Sequence, residues 1–308
     1  MKETVKLKKR SMRRTENKIA FCFVLIPLFG YLVFNIFPIA ISFVIQFCDM
    51  DFYDLNTLSW NNFANFRYVF NDALFWKSLG NTLFFATAQF VSLAIAFAIA
   101  VLLNNIKRGS VLLKILFFMP YICSSAAVAI IFRWLFDDAF GIVNSVLVKL
   151  FGSQAHVNWL TGETSFPWVI YLATLWQAPG YGIVMYSAAL TSLNPSLFEA
   201  AEIDGAGAFV KFRKITFPSV APTTFFLLMA GIIAGLQSFE LPYILASVTW
   251  EGYVGPNNSG LTTAIYIYNN AVNFNQMARA SAASWILFAI VFVISVINFK
   301  LRKRWVDE

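Results

Sequence analysis

Residues 199–222 read EAAEIDGAGAFVKFRKITFPSVAP: acids, then glycines, then bases, then prolines, between two long apolar stretches. Its carboxylates, Glu199, Glu202 and Asp204, could form ion pairs with a basic partner. Its bases, Lys211, Arg213 and Lys214, alternate with Phe209, Phe212 and Ile215, as suits a segment lying on anionic headgroups. A second set of polar residues sits inside apolar stretches. Trp176, Gln177 and Tyr181 surround Pro179, and Gln237, Ser238 and Glu240 follow one another closely. Amides and hydroxyls bond hydroxyl-rich ligands, and aromatic faces stack on sugar rings. Equally, Trp176 and Tyr181 read as packing or belt residues. A carboxylate such as Glu240 is costly in lipid, so it lines a pathway, reaches the outer interface or pairs locally.

Several chemistries have no residues to carry them. The sequence holds no GxxxxGK[ST], HExxH or GxSxG pattern. The single histidine, His156, has no partner at metal-ligand spacing. Cys22, Cys48 and Cys123 form no CxxC pair, and Cys22 and Cys123 read as small buried hydrophobes. The expectation is a chain with no cofactor, no ATP site and no catalysis of its own.

The elements that must position these residues are membrane helices. The chain is 59% hydrophobic and 13% charged, with mean hydropathy +0.66, far too apolar for a water-covered surface. About 20 apolar residues cross a bilayer core as a helix. Six stretches qualify, near 19–47, 78–103, 111–135, 167–191, 221–248 and 278–299. The first is too long for a cleaved signal core and is expected to remain as a span. Pro27, Pro38 and Pro179 should kink or break their helices. The net charge of +7 does not point to nucleic acid, because the bases cluster at the ends of apolar runs. Bases crowd the N-terminal tail, the loops holding Lys107, Arg108 and Lys114 and then Lys211, Arg213 and Lys214, and the C-terminal tail. The opposite loops carry only Arg67, Lys77, Arg133, Lys149 and Arg279. That asymmetry predicts both termini in the cytoplasm, a basic tail over 1–18 and a single membrane domain over 19–308. Arg133 and Arg279 either anchor span ends or attract an acidic sugar.

Asn194-Pro195 makes a helix start, and Gly205 a helix stop. The spacing predicts a short helix over 196–204, too short to span, in a cytoplasmic loop of about 194–219. Its small Ala200 and Ala201 would let another surface approach. It reads as a docking element or as a plain solvated loop.

Glu199-Ala200-Ala201, Asp204-Gly205-Ala206, Ile215 and Pro218 resemble the EAA loop of ABC importer permeases, in its maltose-type, carbohydrate-uptake form. PLFGYLVFNIFPIAISF, NFANFRYVFNDALFWKSLGNTLFF, QSFELPYIL, GPNNSGLTTAIYIYNNAV and ASAASWILF extend the resemblance over nearly the whole chain. It implies an all-α, six-span bundle of the type I importer permease kind in a bacterial or archaeal cytoplasmic membrane. Glu199, Ala200, Ala201, Asp204 and Gly205 would belong to a coupling helix seated in a separate ATPase. The family's sugar contacts fall at Gln177, Tyr181, Gly231, Gly235 and Ser238. Because the two glycines carry no side chain, the contact pattern differs from that for maltose. The implied partners are a second, homologous permease, two ATP-binding cassette subunits holding ATP and magnesium, and an extracytoplasmic sugar-binding protein. An ion-driven secondary transporter using Glu240 is the alternative.

Overall fold

The computed structural model describes residues 21–50, 54–106, 108–246 and 254–305. The basic tail predicted over 1–18 lies outside them. Helix α1 is Phe21–Ile45, followed by a two-residue antiparallel ribbon, β1 (Cys48–Asp49) with β2 (Ser59–Trp60), so the chain is not purely helical. Then come α2 (Ala64–Asn71), α3 (Ala73–Asn104), α4 (Ser110–Ile122), α5 (Ser125–Leu135) and α6 (Ile142–Phe151). They are followed by α7 (Phe166–Gln177), α8 (Pro179–Thr191), α9 (Pro195–Ile203), α10 (Ala208–Lys211), α11 (Ala221–Leu236) and α12 (Glu240–Ala246). The last two are α13 (Thr263–Tyr268) and α14 (Met277–Trp305).

Four of the described segments are long and apolar enough to cross a membrane: Phe21–Ile45, Ala73–Asn104, Ala221–Ala246 and Met277–Lys300. The expected third stretch is instead two helices, α4 and α5, meeting at 92°. Pro120 weakens the end of α4, and Ser124 starts α5 afresh by accepting the Ala127 N–H at 3.2 Å. The expected fourth stretch is helical as α7 and α8, joined through Ala178 in helical torsions. Trp176, Gln177, Pro179, Gly180 and Tyr181 lower its apolarity at the middle. The expected fifth stretch parts at Gln237–Phe239, between α11 and α12.

The prolines of the first stretch do not break it. Pro38 follows a π-turn over Leu32–Ile36, in which the Phe37 N–H bonds the Leu32 carbonyl. The same arrangement recurs before Pro218, where a π-turn over Phe212–Thr216 bonds the Phe217 N–H to the Phe212 carbonyl. A proline ring has no N–H and collides with a carbonyl one turn back; the wider turn accommodates both.

The centre of the bundle is α3, against which α8, α11, α7 and α13 all pack. Small residues let them come close. A Cβ on Gly182 would stand 2.8 Å from the Ala96 Cβ, and one on Gly235 would stand 2.9 Å from the Ala86 Cα. Such close approach, rather than expulsion of water, drives helix association in lipid. At one end Ala100, Leu103, Leu190 and Val220 are buried together; at the other Val69, Phe75, Ile265 and Tyr266 form a separate cluster.

That second end is tied by polar bonds. The Asn81 amide donates to the carbonyls of Asn258 and Leu261, each at 3.0 Å. The Asp72 carboxylate caps α3 through the Leu74 N–H at 2.9 Å and accepts the Tyr266 hydroxyl at 2.7 Å. The Thr263 N–H donates to the Thr82 hydroxyl at 2.8 Å, and both residues are fully buried. The Phe166 ring lies so close to Gly255 and Gly260 that a Cβ on either would overlap it, at 2.4 and 2.6 Å.

Removing the Thr82 hydroxyl strands a buried N–H, which costs about 1–3 kcal/mol. Thr82→Val is therefore expected to lower the thermal midpoint of the detergent-solubilised protein, and Thr82→Ser to restore it. Equal midpoints for Thr82→Val and the unaltered chain would show that the bond contributes nothing.

Candidate functional site

Between the broken helices lies a cavity of about 700 Å³, within the range of small-molecule sites. One wall is α3, with Gln89 and Ser92. A second is the α4–α5 break, with Tyr121, Cys123, Ser124 and Ser125. A third is α7 and α8, with Thr174, Gln177 and Tyr181. The fourth is α11 and the start of α12, with Gly231, Gln237, Ser238 and Glu240. Both interrupted stretches thus open onto one space.

Freed backbone groups at the breaks have partners. The Gln177 side-chain amide donates to the Cys123 carbonyl at 2.9 Å, pinning the α4–α5 corner to α7. The Thr262 hydroxyl donates to the Ser238 carbonyl at 2.7 Å. The Tyr181 ring stacks on Tyr121 at 5.4 Å, and Tyr121 on Phe118 at 5.7 Å, continuing the aromatic wall along α4. The α4–α8 approach is close because a Cβ on Gly180 would lie 2.8 Å from the Phe117 carbonyl. The far sides of the breaks pack together, with Leu241 and Leu245 of α12 in one buried cluster with Val128 and Phe132 of α5.

Of the pathway residues read from sequence, Gln177, Tyr181, Gln237, Ser238 and Glu240 line this cavity. Trp176 does not. One position round the helix from Gln177, it is turned about 100° away and lies against the Phe132 ring at 5.9 Å, half exposed. Gly231 lines the cavity, whereas Gly235 is buried against Ala86. Arg133 and Arg279 lie outside the cavity lining, and the Arg279 guanidinium sits 3.8 Å over the Tyr68 ring. Cys22 and Cys123, expected to be buried, are exposed, Cys123 in the cavity itself. His156 bonds within a loop, its Nε2 at 2.8 Å from the Asp138 carbonyl.

Sequence reading missed Gln89, Ser92, Tyr121 and the serines at the α4–α5 break. Gln89 in the middle of a long apolar stretch was the available signal, as was Cys123-Ser124-Ser125 just after a proline.

The second candidate is α9. Its nine residues make a rod about 14 Å long, none of them buried. The Asn194 carboxamide oxygen accepts the Ser196 N–H at 3.1 Å, so the helix begins at Pro195, one residue earlier than expected. At the other end, Gly205 has φ +73. There the Ala206 N–H reaches the Ala201 carbonyl at 2.8 Å and the Gly205 N–H the Glu202 carbonyl at 3.0 Å. That double closure is the Schellman arrangement, and Asp204 is its capping residue. Not every acid here is available to a partner. Glu202 is paired with Lys211 at 2.9 Å, and that bond holds its carboxyl below the usual range. Among the described residues Glu199 forms no ion pair, and Ile203 beside it is 87% exposed. Ala200 is exposed and Ala201 half-buried.

Comparison with known proteins gives this geometry a family. The chain is 34% identical over 304 residues to the probable ABC transporter permease protein YesP of Bacillus subtilis (strain 168), covering 97% of this chain and 94% of that protein. It is 33% identical over 244 residues to the lactose transport system permease protein LacF of Rhizobium radiobacter, covering 79% and 80%. Its fold matches a chain of a bacterial alginate ABC transporter, crystallised with its alginate pentasaccharide-bound periplasmic protein, with TM-score 0.80 and 20% identity over 94% of this chain and 96% of that one. Residues 92–305, which span both α9 and most of the cavity wall, match the model for the binding-protein-dependent transport system inner membrane component. The chain belongs to that family: it is a multi-pass membrane permease subunit of an ABC importer.

Proposed function

We propose that this permease passes a sugar or oligosaccharide into the cytoplasm by alternating access. The observation that carries the reading is the cavity at the helix breaks, walled by amides, hydroxyls and a tyrosine stack, a lining suited to sugar hydroxyls and ring faces. The lactose system named for one relative and the oligosaccharide bound in the structural neighbour's complex support it. Gln177, Tyr181, Gln237, Ser238 and Glu240 would contact the substrate.

In this reading six segments span the membrane: α1, α3, the α4–α5 pair, α7–α8, α11–α12 and α14. Both termini are cytoplasmic, and so is the loop carrying α9, over about 194–219. There α9 is the coupling helix, docking in a cleft of a partner ATPase through Glu199, Ala200, Ala201, Asp204 and Gly205. ATP and magnesium bind on two such subunits. A second, homologous permease completes the pathway, and an extracytoplasmic sugar-binding protein delivers the substrate. The membrane is the cytoplasmic membrane of a bacterium or archaeon. The ion-driven alternative through Glu240 has no support from the family, whose members work with a binding protein.

Reversing a charge in a docked contact costs on the order of 2 kcal/mol or more, so Glu199→Lys should cut sugar-stimulated ATP hydrolysis at least about tenfold. The variant should still reach the membrane in normal amount; undiminished stimulation would remove α9 from the coupling path. Replacing Gln177, Tyr181 or Ser238 by alanine removes a contact worth about 0.5–1.5 kcal/mol, enough to change the uptake ratio of two competing sugars roughly three- to tenfold. Basal hydrolysis should stay near its original rate. Unaltered ratios in all three variants would place the substrate elsewhere.

A further inference from the structure

Between α9 and α11 the backbone stays helical from Ala208 to Ser219, through α10, the π-turn over Phe212–Thr216 and a last turn over Phe217–Ser219. Thr216 is buried, and Lys211 and Ile215 are half-buried. The Phe212 and Phe217 rings lie 5.8 and 6.2 Å from the Phe97 ring, so the segment rests along the side of α3. What it leaves exposed is Phe209, Val210, Arg213, Lys214 and much of Phe217. Phe209 is 73% exposed and Phe217 44%.

The three bases of this segment differ. Lys211 is drawn to Glu202 of α9 at 2.9 Å. Arg213 and Lys214 form no ion pair among the described residues, and 205–222 contains no acid.

Such a face suits neither pure solvent. Water would leave two phenyl rings solvated, and hydrocarbon would strip two charges of their hydration. The layer between them accepts both, with the rings at the acyl boundary and the bases reaching outward to phosphates. The segment's place in the fold puts it at that depth. It runs from the exposed α9 directly into the span Ala221–Ala246. Phe97, which it lies against, is about 10 Å from the end of α3 at Asn104. Charge then decides the lipid. Each base near an anionic leaflet favours contact by roughly fivefold, and two by roughly twentyfold.

We infer that the exposed face of residues 208–219 is a binding surface for anionic phospholipid of the cytoplasmic leaflet, with Arg213 and Lys214 on headgroup phosphates and Phe209 and Phe217 at the acyl boundary. The inference rests on the cytoplasmic placement of α9 proposed above and adds to it a lipid class and the residues that hold it.

The intact importer, permease with its partner subunits, is reconstituted in phosphatidylcholine nanodiscs. These carry a trace of either phosphatidylglycerol or phosphatidylcholine with a diazirine in the acyl chain close to the headgroup. After illumination, lipid adducts on the peptides covering 208–219 are measured by mass spectrometry. The phosphatidylglycerol probe should label them at least about tenfold more than the phosphatidylcholine probe. Arg213→Gln with Lys214→Gln should bring the two probes close to equal, and Arg213→Lys should keep the preference. Copurification of the ATPase subunits and sugar-stimulated hydrolysis report that each variant is assembled. Equal labelling by the two probes in the unaltered importer overturns the inference, as does a preference that the double glutamine variant leaves in place. So does an absence of labelling by either probe, or loss of the ATPase subunits from the double variant, since a partner protein then covers the face. None of these results touches the importer reading while sugar still stimulates hydrolysis. The topology is tested separately: an Ile203→Cys thiol modified by an impermeant maleimide from outside the cell would place α9 on the outer side, and that placement would fall together with this inference.

Discussion

A helix broken inside a membrane releases carbonyls and N–H groups that hydrocarbon cannot satisfy, so a break survives only where protein or a polar space takes them up. That constraint organises this structure. The α4–α5 corner and the gap between α11 and α12 face each other across one cavity, and each is held by a side chain from elsewhere. Gln177 takes the Cys123 carbonyl, and Thr262 takes the Ser238 carbonyl. The residues that satisfy the breaks are thus among those that make the space polar, or directly adjoin them. A polar cavity and two interrupted helical stretches are one solution to a single bonding requirement.

Opening helices around a cavity sacrifices packing there, and the loss is offset by close contacts around it. Alanines along α3 let α8 and α11 approach through Gly182 and Gly235, where an added methyl would not fit. Beyond the breaks, Leu241 and Leu245 of one interrupted stretch join Val128 and Phe132 of the other in a dry cluster. The two short helices, α5 and α12, could not hold their positions singly; they are fixed against each other and against α7. Tyr121 and Tyr181 stack along the cavity wall, so that part of it is made by paired rings.

The sequence was most legible where local chemistry acts alone. Asn194, Pro195 and Gly205 specify α9 by capping rules, and the structure differs from the expected 196–204 by one residue at each end. Hydropathy located the long spans for the same reason, since twenty apolar residues need no partner to declare themselves. It failed where tertiary contacts decide. The stretch 111–135 is mostly apolar, and nothing in its periodicity says that it turns by 92°; the turn depends on Ser124 as a cap and on Gln177, fifty-four residues from Cys123. Trp176 was grouped with Gln177 because they adjoin in sequence, but a helix separates neighbours by about 100°. Glu202 was read as free for a partner because its distance to Lys211 depends on how the Gly205–Gly207 turn folds back. Pro38 was read as a kink or a break because a π-turn leaves no composition signature of its own.

The position of α9 links the two candidate sites without any further assumption. It is bounded by Asn194 on the α8 side and, on the other, by α10, the π-turn before Pro218 and α11. Helix α8 carries Tyr181, and α11 leads into Gln237, Ser238 and Glu240. With a capping bond at its start, a Schellman closure at its end and the Glu202–Lys211 tie across the turn, α9 is stiff over its whole length. A stiff element held between two cavity walls, and buried against neither, cannot be displaced without loading both. If α9 packed into the bundle it would gain apolar burial, but it would no longer present a free surface between the two stretches that wall the cavity.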